Sequence, residues 1–302
     1  MKSYVCGVDI GGTSVKIGLF RPDGTLLDRW QLPTDRRDSG REILPGLARW
    51  MREGPLPLSE VTGVGVGVPG PVGADGTVKG CVNLGWGTVP VARNLSRMLG
   101  GVPVRAANDA NTAALGECWL GAGRGRENLL LVTLGTGVGC GVVVGGTILP
   151  GAHGSAGEIG HMRVSAHETE SCACGKRGCL EQYASATGIV RLARKRGVSL
   201  PEPLTSEMVL DAARNGDPEA LAVAREAGGK LGLALSWAAC VLDPELILLG
   251  RGVARAGEVI LRPVREAYRD NVFHGSLGTE FGLASLGNRA GIYGAARLVL
   301  NQ

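Results

Sequence analysis

One device occurs twice in this chain: an apolar strand that ends in a glycine turn and continues into a second apolar strand. The first copy is Asp9-Ile10-Gly11-Gly12-Thr13, set between apolar runs at 5–9 and 15–20. The second is Leu134-Gly135-Thr136-Gly137, set between runs at 129–134 and 140–144. Such a repeat predicts two similar α/β halves. The 50 glycines of this 302-residue chain show no collagen-like period. They cluster beside Val/Leu/Ile runs and therefore mark tight turns and close backbone approaches.

Further strands are expected at 25–31, 61–68, 102–107 and 245–249. Helices are expected at 42–52, 109–120, 218–241, 258–268 and 288–300. No Pro- or Ser-rich linker separates the halves, so the boundary is expected inside continuous structure near 107–121. The organisation expected is a small N-terminal α/β domain (1–115) completed by a C-terminal helix (288–302). A larger α/β domain (116–287) follows it.

A net charge of +4 with no dense Lys/Arg block argues against nucleic acid as a partner. The stretch 129–152 carries no charge and has the length of a membrane span. Glycines break it into short runs, however, and two strands around a loop fit it better. Asp9 interrupts any signal-peptide core. The expected home is the cytoplasm, where thiols stay reduced, which makes a disulfide framework the weaker reading of the eight cysteines.

A glycine turn after a strand exposes backbone N–H groups that can meet an anion at close range. Asp9 at the strand end could hold Mg²⁺, with Thr13 and Lys16 near enough to reach phosphate. A single glycine hairpin is usually only a hairpin; two at corresponding places carry more weight. Gly65-Val66-Gly67-Val68-Pro69-Gly70 matches the GxGxxG spelling of a dinucleotide fold. That motif must open a helix, and Pro69 and Pro71 favour extended chain there, so a turn is expected instead. Asp109, in Asn108-Asp109-Ala110-Asn111, sits where a strand gives way to a helix. Two roles stay open for it: an N-cap, or a base that takes a proton from a substrate hydroxyl. Asn108 beside it could hold a neighbouring hydroxyl.

Cys172, Cys174 and Cys179 need a fourth ligand to close a tetrahedral zinc site, and His161 upstream supplies one. The plainer alternative is idle thiols and a surface histidine. The C-x-C-x₄-C spacing, with Gly175 and Gly178 permitting a tight knuckle, favours the metal. Such a knuckle would fix Glu158 and Glu181 in one direction, suited to a polyhydroxylated ligand.

These stretches, with Leu134–Gly139, Gly157–His161 and Cys172–Glu181, resemble the ROK family of repressors and kinases over essentially the whole chain. Asn83-Leu84-Gly85-Trp86 and Ala184–Ile189 are most similar to its bacterial glucokinases. The resemblance implies an actin-like (ribonuclease H-like), duplicated two-domain sugar kinase fold with an interdomain cleft, working as a homodimer on hexose and ATP with Mg²⁺. It implies Asp109 as the base on the sugar 6-hydroxyl. Asn83, Asn108, Glu158, His161 and Glu181 would bind sugar, and His161, Cys172, Cys174 and Cys179 a structural Zn²⁺. Phosphates would meet Gly11, Gly12, Thr13 and Gly135, Thr136, Gly137, with Asp9 and Lys16 beside the first turn. Gly250 and Gly252 would lie near the adenosine, where family members often carry a glycine triplet; this chain reads Gly250-Arg251-Gly252.

Two other classes of protein share parts of this pattern. A repressor of the same family needs a helix-turn-helix module before the first glycine turn, and eight residues precede Asp9. An actin-like structural ATPase has no need for the knuckle or for Asn108–Asn111. Among kinases, fructose, mannose, allose and N-acetylmannosamine are alternative substrates, and polyphosphate an alternative donor.

Overall fold

A computed structural model of the chain describes residues 3–300. The polypeptide forms two compact units. The first takes the chain up to Glu127, the segment Gly141–Ala156 and the segment from Asn288 onward; the second takes Asn128–Cys140 and Gly157–Gly287. Segments 116–127 and 141–156, assigned to the second domain on sequence grounds, thus group with the first unit. Residues 1, 2, 301 and 302, which fall within the expected domain limits, lie outside the described residues.

The first unit opens with β1 (Tyr4–Ile10), β2 (Ser14–Phe20) and β3 (Leu26–Pro33). The single turn α1 (Arg37–Gly40), helix α2 (Ile43–Glu53) and β4 (Val61–Val68) come next. A hairpin of β5 (Thr77–Cys81) and β6 (Trp86–Pro90) leads to α3 (Val91–Met98), β7 (Val104–Asn108) and α4 (Asp109–Leu120). The sheet order is β3-β2-β1-β4-β7. β1 to β3 form an antiparallel meander, whereas β1, β4 and β7 run parallel. β4 is buried over nearly its whole length, as a strand covered on both faces requires.

The chain enters the second unit with β8 (Leu129–Leu134) and turns into β9 (Val138–Val144), which divides between the units after Cys140; β10 (Thr147–Ile148) pairs with its far end. The second unit continues with α5 (Glu181–Ala184), α6 (Ala186–Arg196), α7 (Ser206–Arg214), α8 (Pro218–Leu242), β11 (Leu246–Gly250), α9 (Glu258–Asn271) and β12 (Glu280–Leu283). β8, β11 and β12 run parallel. Helix α8 starts cleanly because Asp217 accepts a hydrogen bond from the Ala220 N–H at 2.8 Å and Pro218 opens the first turn. The chain then returns to the first unit as α10 (Ala290–Leu300).

Close approach explains many of the glycines. α10 lies so near the first sheet that a Cβ on Gly65 would sit 1.6 Å from the Ala295 carbonyl oxygen, and one on Gly7 would sit 2.0 Å from that of Ile292. Gly65 is therefore a packing glycine inside a strand, and no dinucleotide-type helix starts there. α4 and α10 meet in the same way: a Cβ on Gly294 would fall 1.5 Å from the Thr112 carbonyl oxygen. Backbone lies on both sides, so no side-chain rotation can relieve the clash. Gly294→Ala should destabilise the protein by about 3 kcal/mol, read as a lower thermal midpoint. Gly46, inside α2 with nothing within 4 Å of a built Cβ, is the control; Gly46→Ala should raise the midpoint slightly, by roughly 0.5–1 kcal/mol of helix propensity. Equal effects at both sites would remove close packing as the cause.

Among the described residues no helix is long and apolar enough to cross a membrane. The uncharged stretch 129–152 is two strands around the second glycine turn, followed by β10. No disulfide joins any of the eight cysteines.

Candidate active site

In the first unit the site residues collect at one edge of the sheet. β1, β4 and β7 are parallel, with Asp9 opposite Gly67 and Gly67 opposite Ala107. Strands in a sheet are about 4.8 Å apart, so the ends of β1 and β7 are separated by only about 10 Å. Carboxyl ends of parallel strands are where α/β folds place their ligands. Asp9 and Asp109 both lie at this edge.

The turn after β1 is held from behind by Thr34, which sequence reading did not single out. Its hydroxyl donates to the Gly11 carbonyl at 2.7 Å, and its N–H donates to the Thr13 carbonyl at 3.1 Å. Asn83 is exposed and sits against this turn: a Cβ on Gly12 would lie 3.6 Å from the Asn83 carbonyl oxygen. Lys16 pairs across the hairpin with Asp9, its Nζ 3.9 Å from Asp9 Oδ2 and 3.4 Å from the Asn288 carbonyl oxygen. Its charge therefore bears on Asp9 and on the start of α10, a role not legible from the motif.

The two roles left open for Asp109 are separated by its neighbour. Asn108, not Asp109, is the N-cap of α4: its Oδ1 accepts from the N–H groups of Ala110 (2.9 Å) and Asn111 (3.2 Å). Its Nδ2 donates to the Gly70 carbonyl at 3.1 Å. That leaves Asn108 one amide N–H to offer a hydroxyl. Asp109 takes the first helical position, half-buried, where the helix dipole favours a negative charge.

In the second unit the corresponding turn is pinned through its carbonyls. Gly135 O accepts from the Ala186 N–H at 2.8 Å, Thr136 O from the Thr187 hydroxyl at 2.8 Å, and Gly137 O from the Gly135 N–H at 3.0 Å. Glu181 closes the far end, its Oε2 accepting from the Val138 N–H at 3.1 Å. A Cβ at 137 would come within 2.4 Å of that carboxylate oxygen, so a larger residue there would push the Glu181 side chain aside. Gly250 ends β11 opposite Thr133 of β8, so the Gly250–Gly252 stretch leaves the sheet beside this turn. Glu158 is exposed, and its carbonyl accepts from the His161 N–H at 3.1 Å.

His161, Cys172, Cys174 and Cys179 come together, with their ligand atoms all within 4.8 Å of one another. Cys174 Sγ and Cys179 Sγ are 3.6 Å apart, and Cys172 Sγ lies 4.0 Å from His161 Nδ1. Zinc bonds of ~2.3 Å to sulfur and ~2.0 Å to nitrogen set tetrahedral edges of roughly 3.5–3.8 Å, so the donor set fits that ion. Nδ1 faces the sulfurs, which leaves the other ring nitrogen on the opposite side. Gly175 and Gly178 both adopt positive φ, and a Cβ on Gly178 would meet the Ser165 carbonyl oxygen at 1.9 Å.

The knuckle has a second brace that the sequence did not advertise. Buried Gln182 accepts from the N–H groups of Gly178 (2.9 Å) and Cys179 (3.1 Å) and donates to the Glu170 carbonyl at 3.0 Å. Arg191 in turn donates to the Gln182 carbonyl and, at 2.9 Å, to Glu168. Burial pushes the Glu168 carboxyl up, but hydrogen bonds from Arg191, the Glu170 N–H and Tyr183 outweigh it and hold the group down to about 2. Cys6 and Cys140 are a separate class; burial pushes both thiols up to about 12.

A profile of the ROK family matches residues 5–302. A glucokinase of Halalkalibacterium halodurans is 40% identical over 316 residues, covering 99% of this chain and 96% of its own. The N-acetylgalactosamine kinase AgaK of a Shewanella species is 34% identical, covering 97% and 95%. The crystal structure of a ROK glucokinase from Streptomyces griseus, in complex with glucose and AMPPNP, superposes with a TM-score of 0.78 at 33% identity, covering 98% of both chains. Sheet, glycine turns and likeness together define an α/β two-domain sugar kinase fold. The chain belongs to the ROK family.

Proposed function

We propose that this protein transfers the γ-phosphoryl group of Mg·ATP to a hexose, with glucose at O6 as the first choice. The observation that carries the proposal is Asp109. It stands at the carboxyl edge that also presents Asp9 and the first glycine turn, and the N-cap of α4 is Asn108 and not Asp109. Asp109 then acts as the base that removes the sugar hydroxyl proton as the phosphoryl group arrives; catalysis otherwise rests on positioning and charge.

Asn83, Asn108, Glu158, His161 and Glu181 hold sugar hydroxyls in this proposal. The turns at Gly11–Thr13 and Gly135–Gly137 hold phosphates, and Gly250 and Gly252 face the adenosine. Asp9, kept oriented by Lys16, holds Mg²⁺ through water or directly. His161, Cys172, Cys174 and Cys179 hold a structural zinc that sets the direction of Glu181 without entering the chemistry. Assembly as a homodimer is proposed on the family resemblance alone, and residence in the cytoplasm on the sequence reading of the N-terminus and of the stretch 129–152.

A second reading, an N-acetylhexosamine kinase, is supported by the likeness to AgaK. Coupled ADP release across glucose, mannose, fructose, allose, N-acetylmannosamine and N-acetylgalactosamine separates the two. The expected result is the highest kcat/KM for glucose. A higher value for an N-acetylhexosamine replaces the substrate, and no sugar-dependent ADP release with any of them overturns the kinase reading.

A further inference from the structure

Arg251 is out of place by backbone conformation. Among the described residues four non-glycines have positive φ: Asp38, Ser39, Asp243 and Arg251. The first three have short polar side chains, which tolerate the left-handed region best. Arg251, at φ +69°, is long, and glycine would adopt the same conformation without penalty. An outlier of this kind persists where the surrounding structure or the function holds it.

Its position supplies a reason. Gly250 pairs in parallel register with Thr133, so residue 251 leaves the sheet at the same edge as the turn Gly135-Thr136-Gly137. The Arg251 Cδ lies 3.5 Å from where a Cβ on Gly135 would be. The turn is thus flanked by opposite charges, the Glu181 carboxylate at Gly137 and the Arg251 side chain at Gly135. Its three carbonyl oxygens are all engaged by hydrogen-bond donors. A polyanion on this turn is repelled at one end and attracted at the other. A guanidinium is also the side chain that meets phosphate oxygens through paired N–H donors.

We infer that Arg251 binds phosphate oxygens of the nucleoside polyphosphate donor at the second glycine turn. The inference rests on the kinase reading and adds a specificity-determining residue to it. Arg251 selects the charged tail of the donor and is indifferent to its nucleoside.

The test uses the full chain as wild type, Arg251→Gly and Arg251→Lys. Charge-assisted hydrogen bonds predict a rise of roughly 10–100-fold in the KM for ATP on Arg251→Gly, with the KM for sugar within about twofold. Arg251→Lys, which keeps charge but loses the fork, falls between. Binding is compared at a temperature well below the thermal midpoints of all three proteins, so weaker binding by Arg251→Gly cannot be put down to misfolding. Inhibition by ADP weakens in parallel with ATP, whereas inhibition by adenosine does not change. An ATP KM within twofold of wild type in Arg251→Gly overturns the inference, as does an equal loss for adenosine. Calorimetric titration with Mg·ATP alone keeps the two readings separable. Weaker binding by Arg251→Gly supports the inference even if no sugar in the panel is phosphorylated, and equal binding overturns it even if glucose is.

Discussion

Asp109→Asn should lower kcat for ADP release by about 10²–10⁴ while the dissociation constant for sugar changes by no more than a few-fold. The amide keeps the shape and one acceptor of the carboxylate but cannot take a proton at neutral pH. The N-cap of α4 is Asn108, and the amide keeps an oxygen to accept from the Ala110 N–H, as Asp109 Oδ1 does at 3.0 Å; the lost charge at the helix start should cost roughly 0.3–1 kcal/mol. Asn108→Ala should show the reverse emphasis. It removes an acceptor for two backbone N–H groups and a donor to Gly70, and should cost about 1 kcal/mol or more of stability. Turnover by Asp109→Asn close to that of wild type, with sugar bound, would exclude Asp109 as the base.

Loss of the zinc proposed at His161, Cys172, Cys174 and Cys179 should be the largest effect on stability. Around the cysteines, the segment between His161 and α5 forms no helix or strand, its regular pairing limited to isolated bridges of Arg163 with Cys179 and Ser171 with Arg177. Cys179 is fully buried and Cys172 nearly so. Structural zinc sites of this donor type contribute on the order of 10 kcal/mol, far more than the hydrogen bonds of Gln182 can replace. Elemental analysis of reduced protein is expected to find one zinc per chain. Prolonged chelation, or Cys179→Ala, should lower the thermal midpoint sharply and abolish turnover together, because Glu181 follows Cys179 by two residues and also ties down the Val138 N–H. The glycine turn at 135–137 would then loosen along with Glu181. Metal-free protein with full activity and an unchanged midpoint would show that the knuckle is held by its protein contacts.

Gln182 and Arg251 show why part of the candidate site was hidden. Gln182 acts through backbone N–H groups of Gly178 and Cys179, and no residue type or spacing announces an acceptor for main chain. Arg251 interrupts a pair of glycines, which in sequence looks like a weakened motif. In three dimensions it is a cation held beside a phosphate-type turn. The β5–β6 hairpin and α3 were also missed. β5 and β6 mix valine with glycine, lysine and threonine over five residues each, too short for an alternation to stand out, and their pairing with each other stabilises them instead.

Local pattern by itself determined the two strand–glycine–strand turns, the extent of α4 and the four members of the His/Cys₃ cluster. In each, the physical cause lies within a few residues of chain: apolar runs that must be covered, glycines where side chains cannot fit, and ligands at knuckle spacing. Only the tertiary structure decided that Asn108 caps α4 in place of Asp109, that Gly65 yields to α10, and that the ends of β1 and β7 share an edge. Those outcomes depend on which backbone oxygens and which strands come to lie opposite one another, and contacts across tens to hundreds of residues leave no periodicity in the chain that makes them.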